Sequence, residues 1–109
     1  MKNQEQLKQL EKIAQLILDL RLSELSRAAR ARQETMDRLG ALDVPSSDEI
    51  DPVIAARVTL QYQAWADKRR AEINLILARQ TADWTLKRAS AKHAFSRSEA
   101  LRLLRLAGR

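Results

Sequence analysis

The stretch from Pro52 to Leu106 contains no further proline and no glycine. Because these two residues interrupt helices most readily, the stretch predicts one helix of roughly 55 residues, ~80 Å long. Asp51 can accept a hydrogen bond from an early backbone N–H, and Pro52 suits the first helical position, where no donor is needed. Such a helix is too long for a compact domain of 109 residues and therefore needs a partner helix.

Large side chains recur along this helix with a period of 11 residues, which is 3.67 residues per turn and keeps them on one side with little supercoiling. The members of this row are Tyr62, Ile73, Trp84 and Phe95. A companion row, which becomes polar, comprises Trp65, Ile76, Lys87 and Ser98. We expect these rows to pack on the partner helix as far as that helix reaches, with Trp65 in the core. Trp84 is either a core residue or an exposed recognition residue.

The partner is predicted within the same chain, in a helix over about residues 4–40. Its apolar residues begin with Leu7, Leu10 and Ala14. They then recur in the steps of four and three that are typical of a coiled-coil seam: Leu18, Leu22, Leu25, Ala29, Arg32, Met36 and Leu39. Gly40 is predicted to follow this helix in the left-handed conformation.

Residues 41–51 form the one break, a loop between the two helices. Val44-Pro45 does not continue a helix, and Ser46 with Glu49 fits a capping box. A connection of this length favours an antiparallel pair. The predicted fold is therefore all-α: a single antiparallel coiled-coil hairpin over residues 1–109, with the second helix over about 52–106.

The hairpin register, taken by folding the chain about residue 46, places Leu7 opposite about Thr85. The first helix then ends near residue 87, and the second helix is predicted to overhang it. Residues 1–86 contain 13 basic and 13 acidic side chains, whereas residues 87–109 contain seven basic side chains and only Glu99. The whole net charge of +6 thus lies on the predicted overhang, which can steer an acidic partner towards it.

This overhang is amphipathic as well as basic, and the helix macrodipole explains only the cations of its last turn. An internal cap at Ser96 to Glu99 is an alternative to a continuous helix there. We predict a partner-binding site made of Lys87, Arg88, Lys92, Phe95, Arg97, Leu101, Arg102, Leu104 and Arg105.

The residues that catalysis or metal binding needs are scarce. The chain has no cysteine and one histidine, His93, whose one candidate carboxylate partner in the basic section is the distant Glu99. Its two glycines are too far apart for a phosphate-binding loop. We therefore expect a non-enzymatic protein without a metal or cofactor. The polar start and the absence of a long apolar run predict a cytoplasmic protein without a membrane span.

The leucine seam from Leu7 to Leu39, the break at Val44-Pro45 and a second helix with sparse tryptophans and Lys87-Arg88 resemble the FliJ/YscO stalk proteins of flagellar and type III secretion export. The resemblance is architectural, and this chain is shorter than is usual for that family. It implies that the helix ends enter the pore of a hexameric export ATPase and that the coiled coil contacts export-gate and chaperone proteins. The alternatives are a secretion chaperone, a nucleic-acid-binding helical protein, and a self-assembling four-helix-bundle scaffold.

Overall fold

A computed structural model of the chain describes residues 2–43 and 51–108. Its regular elements there are two α-helices, α1 from Lys2–Gly40 and α2 from Pro52–Ala107. The two helices run antiparallel and pack on each other, so the predicted all-α hairpin is confirmed. Helix α2 continues without interruption through Ser96–Glu99, where an internal cap was the alternative.

Helix α2 begins as the sequence predicts. Pro52 is its first residue, and the backbone N–H of Val53 donates a 2.9 Å hydrogen bond to Oδ1 of Asp51. Asp51 therefore caps α2, as expected from its short acceptor side chain. Outside the described residues lie the predicted break and capping box, Val44-Pro45, Ser46 and Glu49.

Helix α1 ends differently from the prediction. Gly40 is its last residue, and no glycine in the described part of the chain has a positive φ. Instead, the N–H groups of Leu42 and Asp43 donate to the carbonyls of Leu39 and Gly40, both at 3.2 Å. These tighter bonds satisfy the last carbonyls, so no left-handed residue is needed. The buried side chain of Leu42 holds this turn in place.

The contacts of the hairpin group into two units. Unit 1 consists of Met1–Arg30 with Ala82–Arg109, and unit 2 consists of Ala31–Thr81. In each unit, a segment of α1 packs antiparallel on a segment of α2. Every contact and groove discussed below lies within one of these units.

In both units the residues shielded from solvent recur in steps of three and four, the spacing of a coiled-coil seam. In unit 1 they include Gln4, Leu7, Glu11, Ala14, Leu18, Arg21, Leu25 and Ala28 on α1. Opposite them on α2 lie Trp84, Lys87, Ala91, Ala94, Ser98, Leu101 and Arg105. In unit 2 they include Arg32, Thr35, Leu39, Leu42, Tyr62, Ala66, Arg70, Ile73, Leu77 and Gln80.

The predicted 11-residue rows on α2 are confirmed in part, because Tyr62, Ile73 and Trp84 lie on the seam. Phe95 is 57 % exposed and Trp65 is 54 % exposed, so neither is a core residue. Lys87 and Ser98, the polar members of the companion row, do lie on the seam. The first row leaves the seam at Phe95, because an 11-residue spacing turns gradually away from a seam that repeats every seven residues.

The α1 seam is predicted in part. Leu7, Ala14, Leu18, Leu25, Arg32 and Leu39 are shielded, as expected from their spacing. Three large residues that were assigned to the seam are instead exposed on the surface: Leu10, Leu22 and Met36. Their places are taken by neighbours such as Glu11, Arg21 and Thr35.

Small side chains allow the two helices to approach each other closely. Ala66 is fully buried, and Ile73, at 3 % exposed, is the most deeply buried large side chain of the described residues. Most of the buried seam positions are alanine, serine or threonine, and each of these buries little apolar area, so it contributes little hydrophobic stabilisation. It also leaves most large apolar side chains of both helices in contact with solvent.

The predicted register is wrong, because α1 covers the basic end of α2. Arg105 on the last turns of α2 bonds Glu11, and a side chain added at Gly108 would meet Gln4. There is therefore no overhang over residues 87–109.

The extra length of α2 lies at its start. The hydroxyl of Tyr62 donates to the carbonyl of Leu42, just beyond the end of α1. The segment before Tyr62 therefore extends past α1 by roughly 15 Å at 1.5 Å per residue. Val53 and Leu60 in this segment are each 71 % exposed.

Candidate functional site

All the predicted partner-binding residues lie on the α2 segment of unit 1. This unit carries thirteen basic and six acidic side chains, a net charge of +7. Unit 2 carries seven basic and eight acidic side chains, a net charge of −1. The basic excess therefore remains concentrated in one part of the molecule, although that part is a helix pair and not a lone helix.

Three of the predicted residues come together on one side of unit 1. Arg88, Lys92 and Phe95 line a groove of about 460 Å³ between the helices. We call it the Phe95 groove and define it by its lining residues: Leu18, Leu22, Leu25, Arg88, Ala91, Lys92, Phe95 and Ser96. Its α1 wall is made of three leucines that sequence analysis treated only as seam residues.

The two cations of the groove differ in their surroundings. The Arg88 guanidinium lies over the ring of Trp84, with 5.5 Å between its carbon and the ring centroid. Such a cation–π contact favours one position of the arginine. Lys92 is exposed and makes no ion pair with any residue in the described ranges. Trp84 is half-buried on the seam, which agrees with the core alternative, and its role as a recognition residue stays a prediction.

Lys87 and Arg105, by contrast, contact acidic residues of α1. Nζ of Lys87 lies 3.9 Å from Glu24 and 4.0 Å from Asp83. Arg105 makes a bidentate contact with Glu11, and both side chains are about four-fifths buried, with relative exposures of 21 % and 23 %. These two residues therefore bind the helices of unit 1 together, a role the sequence analysis did not assign to them.

Arg102 forms an exposed pair with Glu99 on its own helix, at 2.9 Å and three residues apart. The side-chain hydrogen bond from Arg102 lowers the pKa of the Glu99 carboxyl below its ordinary value, and the positive charge of Arg102 acts in the same direction. The same hydrogen bond raises the pKa of Arg102. The pair is solvated, so it contributes little to stability.

The remaining predicted residues lie apart from the groove. Leu101 is half-buried on the seam, and Leu104 is 57 % exposed. Arg97 lines a smaller hollow of about 120 Å³ with His93 and Ile17. No group of three potential metal ligands is found among the described residues. The predicted nine-residue site is therefore not one surface.

An exposed apolar stripe on α1 was missed by the sequence analysis. Its members are between 37 % and 68 % exposed. We call it the outer stripe and define it as Leu10, Ile13, Leu16, Ile17 and Leu20. Residues 10, 13, 17 and 20 follow the three-four-three spacing of a second coiled-coil seam. The dense run of leucine and isoleucine from Leu10 to Leu22 was a signal that could have shown it.

The described segments contain no helix with a stretch long and apolar enough to cross a membrane. Comparison of the chain with protein-family models, with curated proteins and with solved structures gives no match.

Proposed function

We propose that this chain is a non-enzymatic helical adaptor that binds another helical protein through unit 1. The outer stripe carries this proposal. From Leu10 to Leu22, α1 has large apolar residues both towards α2 and away from it. A second apolar stripe on a helix normally packs on another element, and α2 covers only the seam side of α1. Further helices are therefore needed to cover the rest.

The charge of unit 1 favours an acidic partner. With a net charge of +7, two copies of unit 1 repel each other, whereas an acidic surface is attracted and reaches the stripe faster. Such association depends on salt, because exposed charges are screened over about 8–10 Å at physiological ionic strength.

In its specific form, the proposal is a stalk-like subunit of flagellar or type III protein export, bound to a hexameric export ATPase and to export-gate or chaperone proteins. The resemblance of the helical hairpin to the FliJ/YscO proteins suggests it. The register of unit 1 changes its form, because the overhang predicted for the ATPase contact is absent. The first turns of α1 lie beside the last turns of α2, where Glu11 bonds Arg105. The element offered to the ATPase pore is then a paired, basic helix end instead of a single overhanging helix.

A self-assembling four-helix bundle is the second candidate, and the spacing of the outer stripe favours it. Two such stripes can pack against each other in the geometry of a bundle core. The charge repulsion between two copies of unit 1 opposes this arrangement, and high salt weakens that repulsion.

The test is binding of the purified chain to a purified hexameric export ATPase, measured by calorimetry at low and high salt. Ile13→Glu with Ile17→Glu places two carboxylates in the outer stripe, and we expect it to abolish binding. Val58→Glu with Leu60→Glu is the matched control, because both residues are exposed in unit 2.

Equal binding by the stripe variant and the control would exclude the outer stripe as the contact surface. Light scattering on the free chain tests the second candidate. A dimer of the unmodified chain that is lost in the stripe variant would identify the four-helix scaffold. Binding of duplex DNA that falls steeply with salt, with no binding to the ATPase, would identify the nucleic-acid alternative instead.

A further inference from the structure

We propose that the Phe95 groove is the docking site for an acidic amphipathic helix of a partner protein. This inference rests on the proposed adaptor function, and it names a second surface of unit 1 together with the chemistry of its occupant. The outer stripe and the groove lie on different sides of α1, since Ile17 lines the hollow with Arg97 whereas Leu18, Leu22 and Leu25 line the groove.

The shape of the groove fits a helix. Its α1 wall, from Leu18 to Leu25, spans seven residues, which is two helical turns or about 10 Å. Leu22 is 47 % exposed and Phe95 is 57 % exposed, so the apolar walls are open to solvent. An amphipathic helix that binds in a groove presents anchors at positions i, i+3 or i+4, and i+7, and these cover the same two turns.

The charge of the rim selects the partner. Arg88 and Lys92 are four residues apart on α2, so they lie on the same side of the helix with about 6 Å of axial rise between them. No acidic side chain lines the groove. A partner helix can carry two carboxylates, four residues apart, beside its apolar anchors. These carboxylates can form ion pairs with both cations. Arg88 is already held over Trp84, so less side-chain freedom is lost on binding.

Neither a second copy nor nucleic acid fits these features as well. A two-fold pairing of grooves places each patch against the same patch, so Arg88 and Lys92 meet their own equivalents. A phosphate backbone can neutralise the cations, but it has no apolar group to cover Leu22 and Phe95. The leucine wall therefore favours a helix, and the rim favours carboxylates on it.

The experiment uses a labelled peptide of three heptads with leucine at the two seam positions and glutamate at the flanking positions. Its glutamates repel one another and disfavour self-association. The same peptide with lysine in place of glutamate is the charge control. Fluorescence anisotropy with the full chain measures binding at low and high salt. We expect the glutamate peptide to bind more weakly at high salt and the lysine peptide not to bind.

Two variants test the groove. Arg88→Glu with Lys92→Glu reverses the rim, and we expect the affinity for the glutamate peptide to fall by about tenfold or more, because attraction becomes repulsion at two contacts. Phe95→Ala removes an exposed wall residue and is expected to weaken binding without unfolding the chain. Circular dichroism checks that both variants remain helical.

Matched controls lie in unit 2. Arg57→Glu with Lys68→Glu makes the same change in net charge at exposed positions, and Leu60→Ala removes an exposed apolar side chain. Both are expected to leave the affinity for the glutamate peptide unchanged.

The inference is overturned if the glutamate peptide does not bind, if both peptides bind equally, or if the rim variant binds as tightly as its control. It is also overturned if light scattering shows a dimer that Phe95→Ala dissociates, since a second copy then occupies the groove. These results leave the adaptor proposal intact if the ATPase still depends on Ile13 and Ile17. If the stripe variant binds the ATPase as well as the unmodified chain does, while the glutamate peptide still binds the groove, the adaptor proposal alone is refuted.

Discussion

Replacement of Ile73 by alanine is the sharpest test of the seam. Ile73 is 3 % exposed and is the most deeply buried large side chain of the described residues, so its truncation leaves a cavity between the helices. At a site buried to this extent, replacing isoleucine by alanine lowers the free energy of unfolding by about 2–5 kcal/mol. The seam around it is thin and its neighbours can move inwards, so we expect the lower half of this range, about 2–3 kcal/mol.

Trp65→Ala is the comparison, because a tryptophan is larger but this one is 54 % exposed. Its ring packs on Tyr62 with centroids 5.6 Å apart and an angle of 51° between the planes. A pair of this kind contributes about 0.5–1.5 kcal/mol beyond its buried area. We therefore expect Trp65→Ala to destabilise less than Ile73→Ala, whereas a buried tryptophan would cost about 3–5 kcal/mol.

Urea unfolding followed by circular dichroism at 222 nm measures both free energies of unfolding. Thermal melts give a second measurement, in which each kcal/mol lowers the midpoint by about 4–8 °C for a chain of this size class. Agreement between fluorescence and circular dichroism is needed first, because two-state analysis requires coincident transitions. If Trp65→Ala costs more than Ile73→Ala, the assignment of the unit 2 core is refuted.

Three other changes test separate contacts. Ala66→Leu forces a large side chain into a fully buried position and is expected to cost about 1–3 kcal/mol in urea unfolding; no loss would refute the close helix approach. Glu11→Arg is expected to lower stability by about 1–2 kcal/mol and the swap Glu11→Arg with Arg105→Glu to restore part of it, since the pair is mostly buried. The pKa of Glu99 is lowered in the folded chain, so its ionised carboxylate stabilises the native state at pH values above the ordinary pKa. This stabilisation is lost as the pH falls through the lowered pKa. In Arg102→Gln, an NMR titration should show the pKa of Glu99 rising back towards its ordinary value; an unchanged titration would contradict the assigned cause.

The helices and the hairpin follow from local chemistry that can be read in the sequence. Pro52 fixes a helix start because it needs no donor there, and Asp51 supplies the cap acceptor. The glycine-free stretch that follows leaves no place for α2 to end early. These features act within a few residues, so they do not depend on how the helices pair.

The seam could be predicted only where large apolar residues mark it. On α2 in unit 1, its buried positions are Ala91, Ala94 and Ser98, which a hydrophobicity pattern does not separate from surface residues. Phe95, the large apolar residue of this segment, lies next to the seam and is exposed. Close helix packing selects small residues, so in this chain size was a misleading guide to burial.

The register was not predictable because it depends on long-range pairing. Equal helix arms were assumed, whereas α2 begins well before its first hydrogen bond to the end of α1, which Tyr62 makes with Leu42. Contacts such as Glu11 with Arg105 join residues far apart in the sequence. As a result, the basic section was assigned to a lone helix, and only Arg88, Lys92 and Phe95 of the predicted site share a surface.

The most direct test of this account is the distance between spin labels at Lys8→Cys and Leu104→Cys, in a chain that has no cysteine of its own. Lys8 lines the same hollow as Arg105, the residue after Leu104. If α1 covers the basic end of α2, double electron–electron resonance should give a short separation of about 10–20 Å between the labels, the width of two adjacent helices. The equal-arm register places Lys8 opposite Trp84, so Leu104 would lie about 30 Å further along α2. A separation of about 30 Å or more would contradict the helix pairing described for unit 1.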